Sequence, residues 1–468
     1  GAGALTKSGS GTLTLSGTNT YTGATSITAG KIAISNATGL GTTDGATTVA
    51  SGAALSISGG ITVAEAITIS GTGISSGGAI VFTGGNNTYS GAITLGATST
   101  IISSSGAQTI SATVDGGQAL TITANGNLII SGAVGGGTDL SSYAVTTTGS
   151  ASQTFSANVE TTGNQTYTAA GGIVTSGART FDSSGGTVNF ASALSGNHNV
   201  TVTGNADIDG AVTSIAVLSV SGTSNIGADI TTSGTQTYTG AVTLSANVTL
   251  TSSGDVITFS NTVNSADSTK RNLTITTGGS SVEINFDGIV GGSNSLGAIA
   301  ITGVLDLNAA ITNATSLSVS GASNVGADVT TTSTQLYVGN LVLSAADRTL
   351  EGSTVTTRGT ITGAYALTVT GNAVFGNSSG DDVVLTGTNK ALAVSGTTTI
   401  ETDTVTTSGT QTYSGAVVLG IDTTLTSSGD VITFSNTVNS DGSTNRNLTV
   451  TTGGNTVHIN FDGIVGGS

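Results

Sequence analysis

The 468-residue chain has no cysteine, proline, methionine or tryptophan, only two histidines, and just 7% charged and 4% aromatic residues. Without cysteine there are no disulfides and no thiol chemistry, which fits a bacterial protein exported unfolded and uncrosslinked. With only His198 and His458, no Ser-His-Asp arrangement can be assembled. Nine Lys and Arg stand against 25 Asp and Glu, giving a net charge of −16 and a pI of about 4.1. That basic content is too sparse to track a phosphate backbone, so nucleic acid is excluded as an expected partner, as is a polybasic membrane contact. No apolar run approaches the ~20 residues that a membrane-spanning helix needs. Residues 1–4 are neither an initiator Met nor a signal peptide, so a processed or truncated piece is expected. No Pro-rich linker, charge run or shift in composition marks a boundary; residues 1–468 are therefore expected to form one continuous array.

What is present instead is 72 glycines, abundant Ser and Thr, 36% hydrophobic residues and a mean hydropathy of +0.26. Disorder goes with low hydrophobicity and high net charge, and here Val, Ile and Leu recur throughout, so the chain should fold. No useful window carries apolar residues at i, i+3, i+4 and i+7, and Thr, Ser, Gly and Val are poor helix interiors. The pattern that does recur is apolar, any, apolar, small-polar, Gly, the period-2 signature of a strand closed by a turn. Leu55-Ser-Ile-Ser-Gly59, Ile67-Thr-Ile-Ser-Gly71, Leu128-Ile-Ile-Ser-Gly132, Val200-Thr-Val-Thr-Gly204, Leu218-Ser-Val-Ser-Gly222, Leu317-Ser-Val-Ser-Gly321 and Leu367-Thr-Val-Thr-Gly371 are examples.

The chain also repeats itself at longer range. Residues 234–293 recur without a gap as 409–468, with 47 of 60 positions identical, and residues 218–240 echo in 317–339 at 16 of 23. Between the long copies Asp267, Lys270 and Glu283 become Gly442, Asn445 and His458, while Leu250–Ser265 is reproduced unaltered. A duplicated catalytic centre keeps its ionisable groups; a duplicated scaffold keeps apolar positions and turns. A third module carries most of the tyrosines: Asn19-Thr-Tyr21, Asn87-Thr-Tyr89, Gln165-Thr-Tyr167, Gln236-Thr-Tyr238, Gln335-Leu-Tyr337 and Gln411-Thr-Tyr413. Its irregular spacing suits short coils with loops of variable length.

Tandem Ig-like sandwiches would show some proline and an aromatic-rich core. A parallel β-solenoid accounts for more: coils of roughly 20 to 25 residues, each supplying two or three short strands, bury small aliphatics and turn on Gly, Asn, Asp and Ser. About 20 such coils stacked at ~4.8 Å would make a rod of about 100 Å. The 175-residue offset then reads as about seven or eight coils copied together.

Gly11-Thr-Leu-Thr-Leu-Ser-Gly-Thr-Asn-Thr-Tyr-Thr-Gly-Ala-Thr-Ser-Ile-Thr-Ala-Gly-Lys-Ile32 closely resembles the autotransporter-associated β-strand repeat, with a partial echo at Gly85–Leu95. The later Gln-Thr-Tyr coils are similar also to filamentous-haemagglutinin-like repeats of surface adhesin passengers. The resemblance implies a right-handed parallel β-helix outside a Gram-negative cell and no catalytic residues. The membrane barrel that follows autotransporter passengers is not visible in the sequence.

The candidates for chemistry each have a plainer reading. Asp381-Asp382, the only adjacent acidic pair, reads as a solvated turn, although a polysaccharide-cleaving β-helix would need paired carboxylates. Asp287 and Asp462 sit in Asp-Gly turns in both copies. Gly135-Gly-Gly-Thr-Asp139 approaches a calcium-binding pattern but lacks its leading Gly, and no helix or Lys-Ser/Thr follows to make a phosphate cradle. Thr12/Thr14 and Thr449/Thr451 resemble the Thr rows of ice-binding solenoids, but irregularly, and outward Thr is a good strand residue. No catalytic, cofactor-binding or metal-binding residue is assigned and no cofactor is expected. The expected role is a structural, non-enzymatic extracellular solenoid acting as surface adhesin or stalk at the cell surface, its partners being neighbouring copies or host- and cell-surface glycans and proteins. The alternative is a self-assembling filament or surface-layer subunit, since a solenoid end exposes unpaired strand edges; a polysaccharide-degrading enzyme is a third reading.

Overall fold

The computed structural model describes residues 1–279, 281–442, 444–454 and 457–466. It is an all-β parallel solenoid of about 21 turns, 53% strand and 1% helix. The chain divides into two compact units, Gly1–Thr232 and Ser233–Ser468.

In the first unit, each strand lies parallel to the strand one turn before it. Leu5 pairs with Thr25, Thr25 with Thr47 and Thr47 with Ile67 on one face; Leu13, Ile32, Leu55 and Ile80 follow one another on a second. Val63, Tyr89, Ile110, Ile130 and Phe155 form a third. Three residues is the commonest strand length, with the first and third inward, as in Leu128–Ile130 and Leu218–Val220. Alternation puts i and i+2 on one side, so each such three-residue strand contributes two core side chains and one outward one. The tightest turn takes 18 residues, Val202 pairing with Val220, because strands beginning at Leu218, Ser224 and Ile230 follow at intervals of six. The longest takes 26, Ile67 pairing with Ile93.

The expected strand modules are where the period-2 reading puts them, but some of their glycines are not turns that end a strand. Gly204 and Gly371 lie inside the continuous strands Val200–Ile208 and Leu367–Phe375, at φ 106° and 126°, where the backbone bends round a corner. At Gly371 a Cβ would stand 1.8 Å from the Gly352 carbonyl oxygen, so no larger residue fits that corner.

The second unit contains both long copies and shows that the block of about seven or eight coils is not a whole number of turns. From Tyr238 one face runs through Phe259, Phe286, Leu307, Val325, Leu343, Gly363, Leu385 and Thr407. Tyr413, the counterpart of Tyr238, is not on it. It belongs to the face that begins at Val242 and passes through Val263, Val290, Ile311, Val329, Leu350, Val369 and Val394. The copy therefore lies eight turns and one further face along. Tyr337 occupies the remaining face, between Val319 and Thr357. The three Gln-x-Tyr modules of this unit sit on three different faces, so one local sequence folds the same way on each.

Those modules are internal braces. Gln165, Gln236, Gln335 and Gln411, and the tyrosines two residues on, are all 0% exposed. The tyrosine hydroxyl donates to the glutamine Oε1 at 2.7 Å in Tyr167/Gln165, 3.0 Å in Tyr238/Gln236, 2.9 Å in Tyr337/Gln335 and 3.0 Å in Tyr413/Gln411. Gln335 Nε2 donates to the carbonyls of Val329 at 3.0 Å and of Glu351, one turn on, at 2.7 Å; Gln411 does the same to Val405 and Thr426. A buried amide and phenol thereby satisfy each other and join a strand, its predecessor round the corner and the next turn. Above the tyrosine the same face stacks rings: Tyr238, Phe259 and Phe286 have centroids 5.4 and 4.9 Å apart and nearly parallel planes, and Tyr413 on Phe434 repeats this at 5.3 Å.

Replacing Gln335 by Leu should destabilise the second unit by about 3 kcal/mol, since the Tyr337 hydroxyl loses its acceptor in a dry interior, and Tyr337→Phe by about 1 kcal/mol. The double variant should cost about 1 kcal/mol less than the sum, read by denaturant unfolding and by amide exchange in Ile311–Val319 and Arg348–Thr357. Strict additivity would show that the brace is not a coupled unit.

Candidate functional site

The residues that could carry chemistry are dispersed or already engaged. His198 and His458 are both exposed. Asp381 closes its own turn, accepting from the Asn377 amide at 3.0 Å and the Ser378 hydroxyl at 2.8 Å. Partial burial and the neighbouring Asp403 raise the Asp382 carboxyl above its ordinary range. Asp287 accepts from Asn308 at 2.9 Å, while Asp462 gives its backbone amide to the Phe434 carbonyl. The glycines of 135–139 do form a cradle, but for a protein carboxylate: the Gly137 and Thr138 amides donate to Asp115 Oδ1 at 2.8 and 3.1 Å. Among the described residues no three His, Asp or Glu side chains gather as a metal site, and no helix is long and apolar enough to cross a membrane. Thr12, Thr14, Thr449 and Thr451 are outward and exposed.

The first four turns of the first unit hold the unusual features. Lys7 is 8% exposed, and its ammonium donates to the carbonyls of Ser8 at 2.9 Å, Gly9 at 2.6 Å and Ala29 at 3.1 Å. Gly30, at φ 68°, is where the chain passes this cage; a Cβ there would collide with the Gly9 and Gly11 carbonyls. Further along, Glu65 is 4% exposed. Its Oε1 meets only the Thr47 hydroxyl, at 3.5 Å, and its Oε2 has no partner. Burial raises its carboxyl to about 7, with a smaller push from Asp44. Tyr89 donates to the Glu65 carbonyl rather than to Asn87, whose side chain is instead spent on the Gly60 and Ile61 amides.

Outside this corner lies a groove of about 230 Å³ on the outer face of the sheet. Lys31, Ala54 and Ser56 come from successive strands and Val81 and Thr83 from the next, while the loop from Gly71 to Gly78 arches over them and supplies Ile74. The loop contains a single 3₁₀ turn, Ile74–Ser76, with Ser75 and Ser76 both left-handed at φ 50° and 62°. It covers Ser56, an outward position by alternation, to 6% exposure. Sequence reasoning passed over Lys31, Glu65 and this loop. The available signal was the lengthening of one turn by six residues, from Thr47↔Ile67 to Ile67↔Ile93.

The cage and the first turn lie within residues 5–34. Residues 5–34 match the family model of the passenger-associated-transport-repeat. This is the segment on which the resemblance to an autotransporter passenger rested, and the passenger repeat together with the solenoid bears that resemblance out. The matched segment contains the strands Leu5–Lys7, Thr12–Leu15, Thr25–Ile27 and Gly30–Ile34, and the last two lie directly on the first two. A passenger-associated-transport-repeat here is one turn plus the start of the turn that stacks on it, with Lys7 and Gly30 at the joint. No curated protein and no solved structure matches the chain.

The Glu65 carboxyl gives the first unit a pH dependence of defined sign. A carboxyl raised in the folded state costs nothing below its unfolded value of 4.5; the cost grows as pH rises to about 7 and is then constant at about 3 kcal/mol. Thermal unfolding at pH 5 and pH 8 should therefore show Glu65→Gln more stable than the parent at pH 8 and close to it at pH 5. A gap that does not change with pH would show that Glu65 ionises freely.

Proposed function

We propose that this chain is part of an autotransporter passenger displayed at the bacterial surface, where it serves as a structural stalk and adhesive scaffold without catalysing a reaction. The passenger repeat at residues 5–34 supports secretion or surface location. The observation that carries the structural reading is what the long copies keep. Leu250/Leu425, Ile257/Ile432 and Phe259/Phe434 are identical and 0% exposed, whereas the changed pairs Asp267/Gly442, Lys270/Asn445 and Glu283/His458 are exposed. The copies also present their outward residues from different faces, so duplication lengthened the scaffold without aligning any surface group with its counterpart. A binding or catalytic centre would have kept its polar groups in place; a scaffold needs only to keep its interior. Binding by such a surface is distributed over outward hydroxyls and amides and gains strength from many weak contacts.

An antibody raised against the purified chain should label intact cells of the bacterium that makes it, and protease added outside should remove that label while sparing a periplasmic marker. Labelling only after permeabilisation would overturn the surface reading. Release of reducing ends from acidic or neutral glycans, abolished by a single carboxylate substitution, would overturn the structural one.

A further inference from the structure

We propose that the groove beneath the Gly71–Gly78 loop is a binding site for an anionic sugar residue. Its chemistry is set by Lys31, which has no carboxylate partner among the described residues; Lys7, Arg179, Lys270 and Arg358 are likewise outside the four ion pairs, but Lys31 is the one that lines this groove. In a chain of net charge −16 a cation left unpaired in a concave site is complementary to an anion. Beside it the Ser56 hydroxyl, 6% exposed and 3.4 Å from the Thr83 hydroxyl, is held in place rather than free to rotate into solvent. Ile74, 40% exposed, and Val81 supply apolar walls. Charge, paired hydroxyls and small apolar patches, in a volume of about 230 Å³, suit one saccharide ring bearing a carboxylate or a sulfate.

Strand addition by a peptide is excluded because it needs a free strand edge. Ala53–Ser58 is paired on both sides, by Gly30–Ile34 and by Ile80–Gly84, so its main chain has nothing left to offer. The loop itself is built for position: two consecutive left-handed serines are a strained arrangement for residues with a Cβ. The inference goes beyond surface display, and its test uses the purified chain, so the two can fail separately.

Calorimetric titration of the full chain with oligogalacturonate, a sulfated dextran oligomer and plain dextran separates the sources of charge. The expected result is binding of one or both anionic oligomers, none of dextran, and about a tenfold loss with Lys31→Ala. Ile74→Asp, at an exposed position, should weaken binding comparably without loss of folded signal. Lys270→Ala removes the same charge from an exposed site in the second unit and should change nothing. Equal binding of dextran, unaltered affinity in Lys31→Ala, or an equal loss in Lys270→Ala would each overturn the proposal, as would no binding of either anionic oligomer.

Discussion

Within each unit, strands are aligned in parallel register by the strand one turn before, and everything else follows from that register. Neighbouring turns place residue against residue, as in Tyr238 on Phe259 on Phe286, so inward side chains come to lie on one another in rows. Apolar rows are self-consistent and cost nothing in polar groups. A polar side chain in such a row is costly to bury unless it finds partners within reach of its own turn and the next. The Gln-x-Tyr brace is the solution this sequence uses: the two inward side chains of one strand satisfy each other, and the remaining amide protons go to main-chain carbonyls of the preceding strand and the following turn.

The same register explains why the long copy could shift by a third of a turn. A brace needs a strand, a preceding corner and a following turn, and all three faces of the solenoid provide these alike. Thr161, Thr331 and Thr407, each four residues before its glutamine, complete the corner by donating to main-chain carbonyls at Gly163, Ser333 and Gly409. Because each turn contacts only its neighbours, a block can be inserted at any face without disturbing a distant core. The duplicated unit is thus defined by local stacking and not by a whole number of turns.

The fold was legible in the sequence because strands such as Leu128–Ile130 show their burial directly as alternation, and glycine marks their ends. The braces were not. A glutamine in a Thr-rich stretch reads as an outward residue, and only the recurrence of Gln two positions before Tyr, with Thr four positions earlier, distinguishes Gln335 and Gln411 from surface amides. The rotation between copies was hidden because turns range from 18 to 27 residues, so an offset of 175 does not reveal how many turns it spans. Glu65 lies in an unremarkable Val-Ala-Glu-Ala stretch, and its burial comes from residues a turn away. Lys31 and Ile74 are far apart in sequence and meet only through stacking plus one loop.

A solenoid face is nearly flat and its strands are paired on both sides, so it offers neither concavity nor free main-chain groups. A site can arise there only where a turn is lengthened and the extra chain folds back over the sheet. Lengthening is cheap, since loop-closure entropy grows slowly with length and the register of the flanking strands is undisturbed. Ile67 still pairs with Ile93 across the lengthened turn, and Leu55 still pairs with Ile80 beneath the loop. The Gly71–Gly78 loop therefore adds a wall without altering the floor. Lys31, on a strand two turns earlier than Val81, becomes part of a groove it could not form alone. In an architecture that keeps its repeated side chains inside, individuality enters through such loops, and that is where a specific ligand would be recognised.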